Sequence, residues 1–479
     1  MTKRLVVGAI FAALSSMATG CSSDDDAPTV ECTDKLECKG TPAAGQEWAC
    51  VANKCVQEPI DDAPVIPTPG TDAGTDAGEP LDENEACNAS TECGPDLRCD
   101  PAPATGTGAT CQPLHIAFTR NVAAVPADDR AVVVRFNQNV ASTSANGDAA
   151  AGSRFPRWSP DGSKLLFTRD TVATPELVVA TPPFTTAATV FPLTTAIDHV
   201  EWAPSSKVAW REATGVKIAD VSGATLPAPV ALGNGTAYPS WNPDGTKLSY
   251  YKGGIWTANA DGTDAAAVTG GTQGSEPFYN GGFLLYTRAV DAVNPVWTAE
   301  LVVVPETGGT AAVVVPAVVA AEPSAAAPTT FGSYISDPTW SADGNWVAYT
   351  RVTYVRTDGD VLPSGNPAPG TWAVPRLCGE MGAPACPTGT AVNEVWLQKV
   401  NPATRVPDAG VAPVELGDGG LAAFSPSGER VAFVSSRRLR VQKINPATGD
   451  KVDPVIAHSA QEVRTSGFGD DARPRWQPK

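Results

Sequence analysis

The chain has 479 residues, with Gly and Pro at 44 each and aromatic residues at 7%, a composition that suits many short strands joined by turns and excludes a fold built of long helices. The net charge of −18 comes without any Lys/Arg cluster. That excludes nucleic acid as a partner, because neutralised phosphates and released counterions supply most of such affinity.

The first element in chain order is an address. Lys3 and Arg4 form a basic start, and Leu5 to Leu14 an apolar run of ten residues, half of the roughly twenty that a membrane-spanning helix needs. The segment Ala18, Thr19, Gly20, Cys21 resembles the bacterial lipobox. That resemblance implies removal of residues 1–20, lipid on the Cys21 sulfur and, with Ser22 next, the outer membrane as destination. The alternative is an ordinary signal peptide whose cysteine is incidental or disulfide-bonded. Setting Cys21 aside leaves ten cysteines, the even number a disulfide framework prefers.

Residues 22–113 hold nineteen acids against four bases, whereas residues 114–479 net only −5. Two four-cysteine clusters lie in this acidic arm: Cys32, Cys38, Cys50 and Cys55 within residues 21–56, and Cys87, Cys93, Cys99 and Cys111 within residues 85–113. Modules this short bury too little to fold unaided, and two disulfides in each are expected in an oxidising compartment. A structural zinc site is the competing reading, but no pair has the tight two-residue ligand spacing. Residues 57–84, rich in Pro, Gly and acid, read as a flexible linker. Together these pieces suggest a stalk.

From residue 114 onward one motif recurs. Clear copies are FPRWSPDGSKLLFTR with Trp158, Asp161 and Gly162; AYPSWNPDGTKLSYY with Trp241, Asp244 and Gly245; and SDPTWSADGNWVAYTR with Trp340, Asp343 and Gly344. Weaker copies carry Trp202, Tyr279 and Phe424, and the aromatics stand 44, 39, 38, 61 and 84 residues apart. In Ser159-Pro160-Asp161-Gly162 the proline presets φ for a type I turn and the glycine suits its last position, so a hairpin follows. Each period holds about four short strands, and radial stacking of such sheets buries the aromatics between neighbours.

The repeat is similar to the TolB-type, WD-repeat-like propeller repeat. The resemblance covers roughly three quarters of the chain and implies an all-β fold, a single β-propeller over residues 114–479. The chain finishes on ARPRWQPK with Trp476, a first half-motif, while LHIAFTRN (114 to 121) is a second half. Joined, they complete one copy and remove an open sheet edge. Counting it gives seven blades; six is the alternative, because the Tyr279 copy is degenerate. Two periods are swollen, by residues 305–330 and by residues 352–392 with Cys378 and Cys386, where a disulfide is expected. Inserted residues in a repeat gather on one face, often the binding face.

Catalytic chemistry is hard to place. The three histidines, His115, His199 and His458, are scattered, and there is no nucleophile elbow, HExxH, P-loop or dinucleotide fingerprint. Asp161, Asp244 and Asp343 are expected to cap their own turns rather than bind calcium. No catalytic, cofactor or metal residue is assigned. The leading expectation is a monomeric, lipid-anchored envelope protein that binds an envelope protein or polysaccharide, and TolB-like propellers imply protein partners there. The second is a lyase or hydrolase acting on a carbohydrate or lactone in a central channel, marked by histidines converging at metal-ligand distance. The third is a surface adhesive or structural role carried by the cysteine modules.

Overall fold

A computed structural model describes residues 46–51, 54–59, 80–101, 108–120, 129–136, 152–169, 174–182, 187–272, 274–289, 299–317, 330–356, 389–457, 463 and 472–479. Cys21, Cys32, Cys38, Cys378, Cys386 and His458 lie outside these residues, as do the signal and lipobox segments. Among the described residues no helix is long and apolar enough to cross a membrane.

The chain divides into two compact units, Met1–Gly78 and Glu79–Lys479. In the first, Gln46–Val51 and Lys54–Pro59 form a hairpin whose register sets Cys50 opposite Cys55. The second is all-β and propeller-like. Sheet 1 is three-stranded and composite, with Arg475–Trp476 beside His115–Arg120 beside Arg130–Arg135. Sheets 2 to 7 span residues 153–192, 197–231, 237–272, 274–315, 330–418 and 420–457; each is a four-stranded antiparallel meander in chain order.

The hairpin turn forms as its residues dictate. The Gly162 amide donates to the Ser159 carbonyl at 2.8 Å, with Gly162 at φ +64°, where a side chain is strained. The Asp161 carboxylate accepts from the Ser163 amide at 3.0 Å and the Ser159 hydroxyl at 2.5 Å. Asp244 does the same with the Thr246 amide and hydroxyl, and Asp343 with Ser341 and Asn345. The Ser159 hydroxyl, with help from Ser163, holds Asp161 down at about 2. Thr246 lowers Asp244, while Ser341 and Asn345 outweigh the burial that opposes ionisation of Asp343.

Seven apolar cores lie between neighbouring sheets, and a motif aromatic belongs to each. Trp158 joins sheets 1 and 2, Trp202 packs against the core of sheets 2 and 3, and Trp241 lies between sheets 3 and 4. Tyr279, Trp340 and Phe424 continue the series through sheet 7, and Trp476 packs with Leu421 and Val434 of sheet 7 against Ile116 and Phe118 of sheet 1. The indoles add a second link. Trp158, Trp241, Trp340 and Trp476 each donate Nε1–H to the backbone carbonyl just before the motif aromatic of the preceding sheet, namely Arg475, Glu201, Phe278 and Ala423, at 3.0–3.3 Å. The buried Trp202 indole N–H has no partner.

The second cysteine module is not a spacer. Its three strands, Ala86–Cys87, Ala109–Pro113 and Leu97–Pro101, are bridged by Cys87–Cys99 and Cys93–Cys111. The chain runs from it straight into sheet 1 through fully buried Leu114. The stalk expected of residues 22–113 therefore loses its last part to the propeller-like unit.

Candidate functional site

The first strands of the sheets pack side by side, with their motif aromatics aligned by the indole bonds. Their turns therefore share one edge of the unit, and the connections from second to third strand and from sheet to sheet share the other. Of the stretches 305–330 and 352–392 that swell the repeat, residues 318–329 and 357–388 lie outside the described residues, and the strand ends that flank them, Val315 and Thr330, and Arg356 and Gly389, are on that other edge. Sheet 6 also extends there. Its strands Thr330–Trp340, Trp346–Arg356 and Gly389–Lys399 are eleven residues each, and the ladder from Val352↔Asn393 to Arg356↔Gly389 adds roughly 17 Å beyond the Arg351↔Glu394 pair at ~3.4 Å per residue.

A repeated irregularity shapes the first strands. In sheet 2 and sheets 4 to 7 the ladder skips the two residues that stand three and two before the motif aromatic, as between Arg154 and Arg157 or Ser336 and Thr339, and in sheet 3 it breaks between Ile197 and His199. A proline stands two residues before the aromatic at Pro156, Pro239, Pro277, Pro338 and Pro474, and proline inside a sheet belongs at such bulges. The residue ahead of it takes a positive φ in four of these strands: Phe155 (+54°), Tyr238 (+52°), Glu276 (+54°) and Asp337 (+51°); Leu421 at +59° is the equivalent in sheet 7. Left-handed backbone at bulky residues is strained and is characteristic of functional positions.

The side chains at this repeated position divide. Phe155 and Leu421 are buried in inter-sheet cores, where their amides donate to Thr119 and Thr350 Oγ1 of the preceding sheets. Tyr238, Glu276, Asp337 and Arg473 are half-buried. The Tyr238 ring meets His199 edge-on at 6.4 Å and Tyr251 at 6.5 Å, with the Arg211 guanidinium 5.8 Å from its centre. Arg211 is itself paired with Asp198. Glu276 accepts the Asp337 amide at 3.3 Å.

Arginines from the C-terminal segment cross between sheets that are not neighbours. Arg475 reaches Glu201 of sheet 3 at 2.6 Å, where Arg157 of sheet 2 lies at 3.3 Å and the His199 Nε2 at 3.5 Å. Arg473 donates to the Pro338 carbonyl of sheet 6 at 2.9 Å and stacks 5.2 Å from Phe278 of sheet 5. Such contacts place these residues at a common hub. One carboxylate between two guanidiniums and beside an imidazole is a fastened cluster in which the guanidiniums outnumber the carboxylate, and the hub as a whole mixes aromatic, acidic and basic groups.

His199 belongs to this hub. His115 lies in sheet 1 with Nδ1 2.8 Å from Gln477 Oε1, and burial lowers its pKa. Among the described residues the one group whose donor atoms converge closely enough for an ion is Cys87, Cys93 and Cys111, and their sulfurs are committed to disulfides. The hub residues Arg157, Glu201, Tyr238, Glu276, Asp337, Arg473 and Arg475 carry no motif of their own. The signal that could have found them is the repeated proline two residues before the aromatic, out of place in an inner strand unless it marks a bulge.

These features define an all-β, propeller-like protein with a disulfide-bridged module. No family model matches the sequence, and no curated protein does. Among solved structures, TolB from Acinetobacter baumannii aligns at 15% identity over 76% of this chain and 67% of that one, with a TM-score of 0.38. A Lactobacillus plantarum protein aligns at 11% identity over 76% and 99%, with a TM-score of 0.44. A β-propeller domain from Myceliophteria thermophila aligns at 11% identity over 64% and 70%, with a TM-score of 0.31. The relationship to TolB and other propellers is a distant one of low identity.

Proposed function

We propose that this chain is a lipid-anchored cell-envelope protein whose seven sheets close into a propeller, and that the propeller binds an envelope protein or polysaccharide around its hub. Seven inter-sheet cores for seven sheets support closure, because an open row of seven would have six. The lipobox-like segment ending at Cys21 supports the anchor, and Ser22 the outer membrane.

The observation that carries the binding reading is the change of side chain at one repeated position, strained in five of the seven sheets. Pro and the motif aromatic recur around it, while the position itself reads Phe, His, Tyr, Glu, Asp, Leu and Arg from Phe155 to Arg473. Architecture would be served by one residue type throughout. With Phe155 and Leu421 taken into the inter-sheet cores, the remaining aromatic and charged groups suit a chemically heterogeneous ligand. The strand ends that flank residues 318–329 and 357–388 stand on the edge opposite the cysteine module, which supports that face as the partner's.

The test is capture from solubilised envelopes with the full chain, beside Tyr238→Ser and Glu276→Lys variants of unchanged thermal stability. Retention of one protein or one polysaccharide fraction, weakened about tenfold or more by either substitution, is the expected result. Capture that both variants leave untouched would remove the hub from the binding surface. Failure of the wild-type chain to retain anything would turn attention to catalysis.

A further inference from the structure

We propose that the second cysteine module is a redox-sensitive clasp that fastens the C-terminal segment into sheet 1; this rests on the closed-ring reading. The C-terminal strand makes only two ladder pairs, Arg475↔Ala117 and Trp476↔Ile116, in the one sheet assembled from distant parts of the chain. Its continuation is gripped by the module. Lys479 Nζ donates to the Cys93 carbonyl at 2.6 Å and to that of Gly94 at 3.1 Å, and Arg98 donates to the Pro478 carbonyl at 3.2 Å. Arg98 also donates to the Asp161 carbonyl of sheet 2 at 2.6 Å. On the other flank, fully buried Asp96 pairs with Arg430 of sheet 7 at 2.8 Å and accepts the Ser427 amide at 3.3 Å. The module thus touches sheets 7, 1 and 2, on both sides of the junction where the two ends of the chain meet.

Its position has counterparts elsewhere in the repeat. In sheets 3 and 4 the basic residue that opens the second strand, Lys207 or Lys247, reaches Ala260 or Glu306 in the turn between the third and fourth strands of the next sheet. Arg430 is the corresponding residue of sheet 7. Among the described residues sheet 1 has three strands, and Arg430 pairs with Asp96 of the module. The module therefore offers Arg430 the kind of contact that Lys207 and Lys247 find in the neighbouring sheet.

The clasp depends on its sulfurs. Its buried core is Cys87, Cys93, Leu97 and Cys111, so half-cystines make up three of the four residues and little apolar packing remains once they are reduced. A dithiol reductant opens Cys93–Cys111 by thiol–disulfide exchange. Two electrons and two protons pass to the cysteine pair, and the reductant closes to its own disulfide. Loss of the module's fold then releases Asp96, Arg98 and the carbonyls that hold Lys479.

The experiment is amide hydrogen exchange on the full chain, oxidised, treated with dithiothreitol, and as a Cys93→Ser, Cys111→Ser double variant that leaves the other cysteines alone. Asp96→Asn provides a form with both bridges intact and the docking weakened. Exchange at residues 115–118 and 475–477, including the Gln477 amide bonded to the His115 carbonyl, is expected to rise about tenfold or more in all three altered forms. Residues 248–250 in sheet 4 should stay as protected as before. Unchanged exchange at the C-terminal strand, or an equal rise in every sheet, would overturn the clasp. Absence of protection at residues 475–477 in the oxidised wild-type chain is a different result, and it would overturn ring closure itself.

Discussion

Sheet 4 and sheet 1 carry the same motif and are held by different means. Sheet 4, residues 237–272, is one uninterrupted meander in which Tyr250 and Leu248 are fully buried. Each strand finds its partner through a short turn, and the ion pair that ties it to the next sheet, Lys247–Glu306, is 42% and 23% exposed. Sheet 1 joins strands some 355 residues apart and adds a disulfide module, a buried ion pair and arginines reaching sheets 3, 5 and 6. A locally closed sheet needs only turn chemistry and packing, whereas a sheet assembled from distant segments bears a larger loop-closure entropy and gathers extra fasteners.

The sharpest way to break the comparison is to remove one acid from each. Asp96→Ala strips the partner from Arg430 in a buried pair and is expected to lower stability by about 3 kcal/mol or more. Glu306→Ala, at the exposed staple of sheet 4, should cost less than about 1 kcal/mol. Denaturant titration of the two variants decides the matter; equal losses would mean that the two sheets are fastened alike.

A smaller effect separates the motif tryptophans. Trp476→Phe and Trp241→Phe keep a ring in the core but leave the Ala423 and Glu201 carbonyls without their indole donor, an expected loss of about 1–2 kcal/mol beyond the change in ring size. Trp202→Phe deletes a buried donor that has no partner. It should come out lower than the other two by about that amount, and a Trp202→Phe penalty as large as theirs would refute the hydrogen-bond account.

The smallest effect is one of pH. Burial holds the His115 pKa below its ordinary value, with Arg135 and Arg98 adding to that direction and the Gln477 hydrogen bond and Asp100 opposing it. The unfolded chain therefore takes up this proton first as pH falls, so the contribution of His115 is complete above its unfolded pKa and declines below it. A Tm decrease of about 1 °C from this group between neutral and mildly acid pH is expected, diminished in His115→Gln. An equal pH response in that variant would assign the effect elsewhere.

Much of the fold is legible in the sequence because its determinants are local. Ser159-Pro160-Asp161-Gly162 specifies a turn by the φ angles and the side-chain oxygen it contains, and the same reasoning holds at Asp244 and Asp343. The pairing of LHIAFTRN with ARPRWQPK also follows from the motif. The hub was not legible. Glu201 differs in no way from a surface glutamate until Arg475 and Arg157 arrive from other sheets. Likewise Asp96 reads as one more charge of an acidic arm, and the arm's composition hides that its last part is docked.

The sequence by itself determined the strands, their turns, the aromatic that seats each sheet and the oxidised state expected of Cys87, Cys93, Cys99 and Cys111, since each depends on neighbours within a few residues or on the compartment. Only the tertiary structure decided which cysteines pair, where the second module sits and which charges meet at the hub. Those outcomes depend on contacts between residues hundreds of positions apart, which become neighbours only after the sheets have stacked.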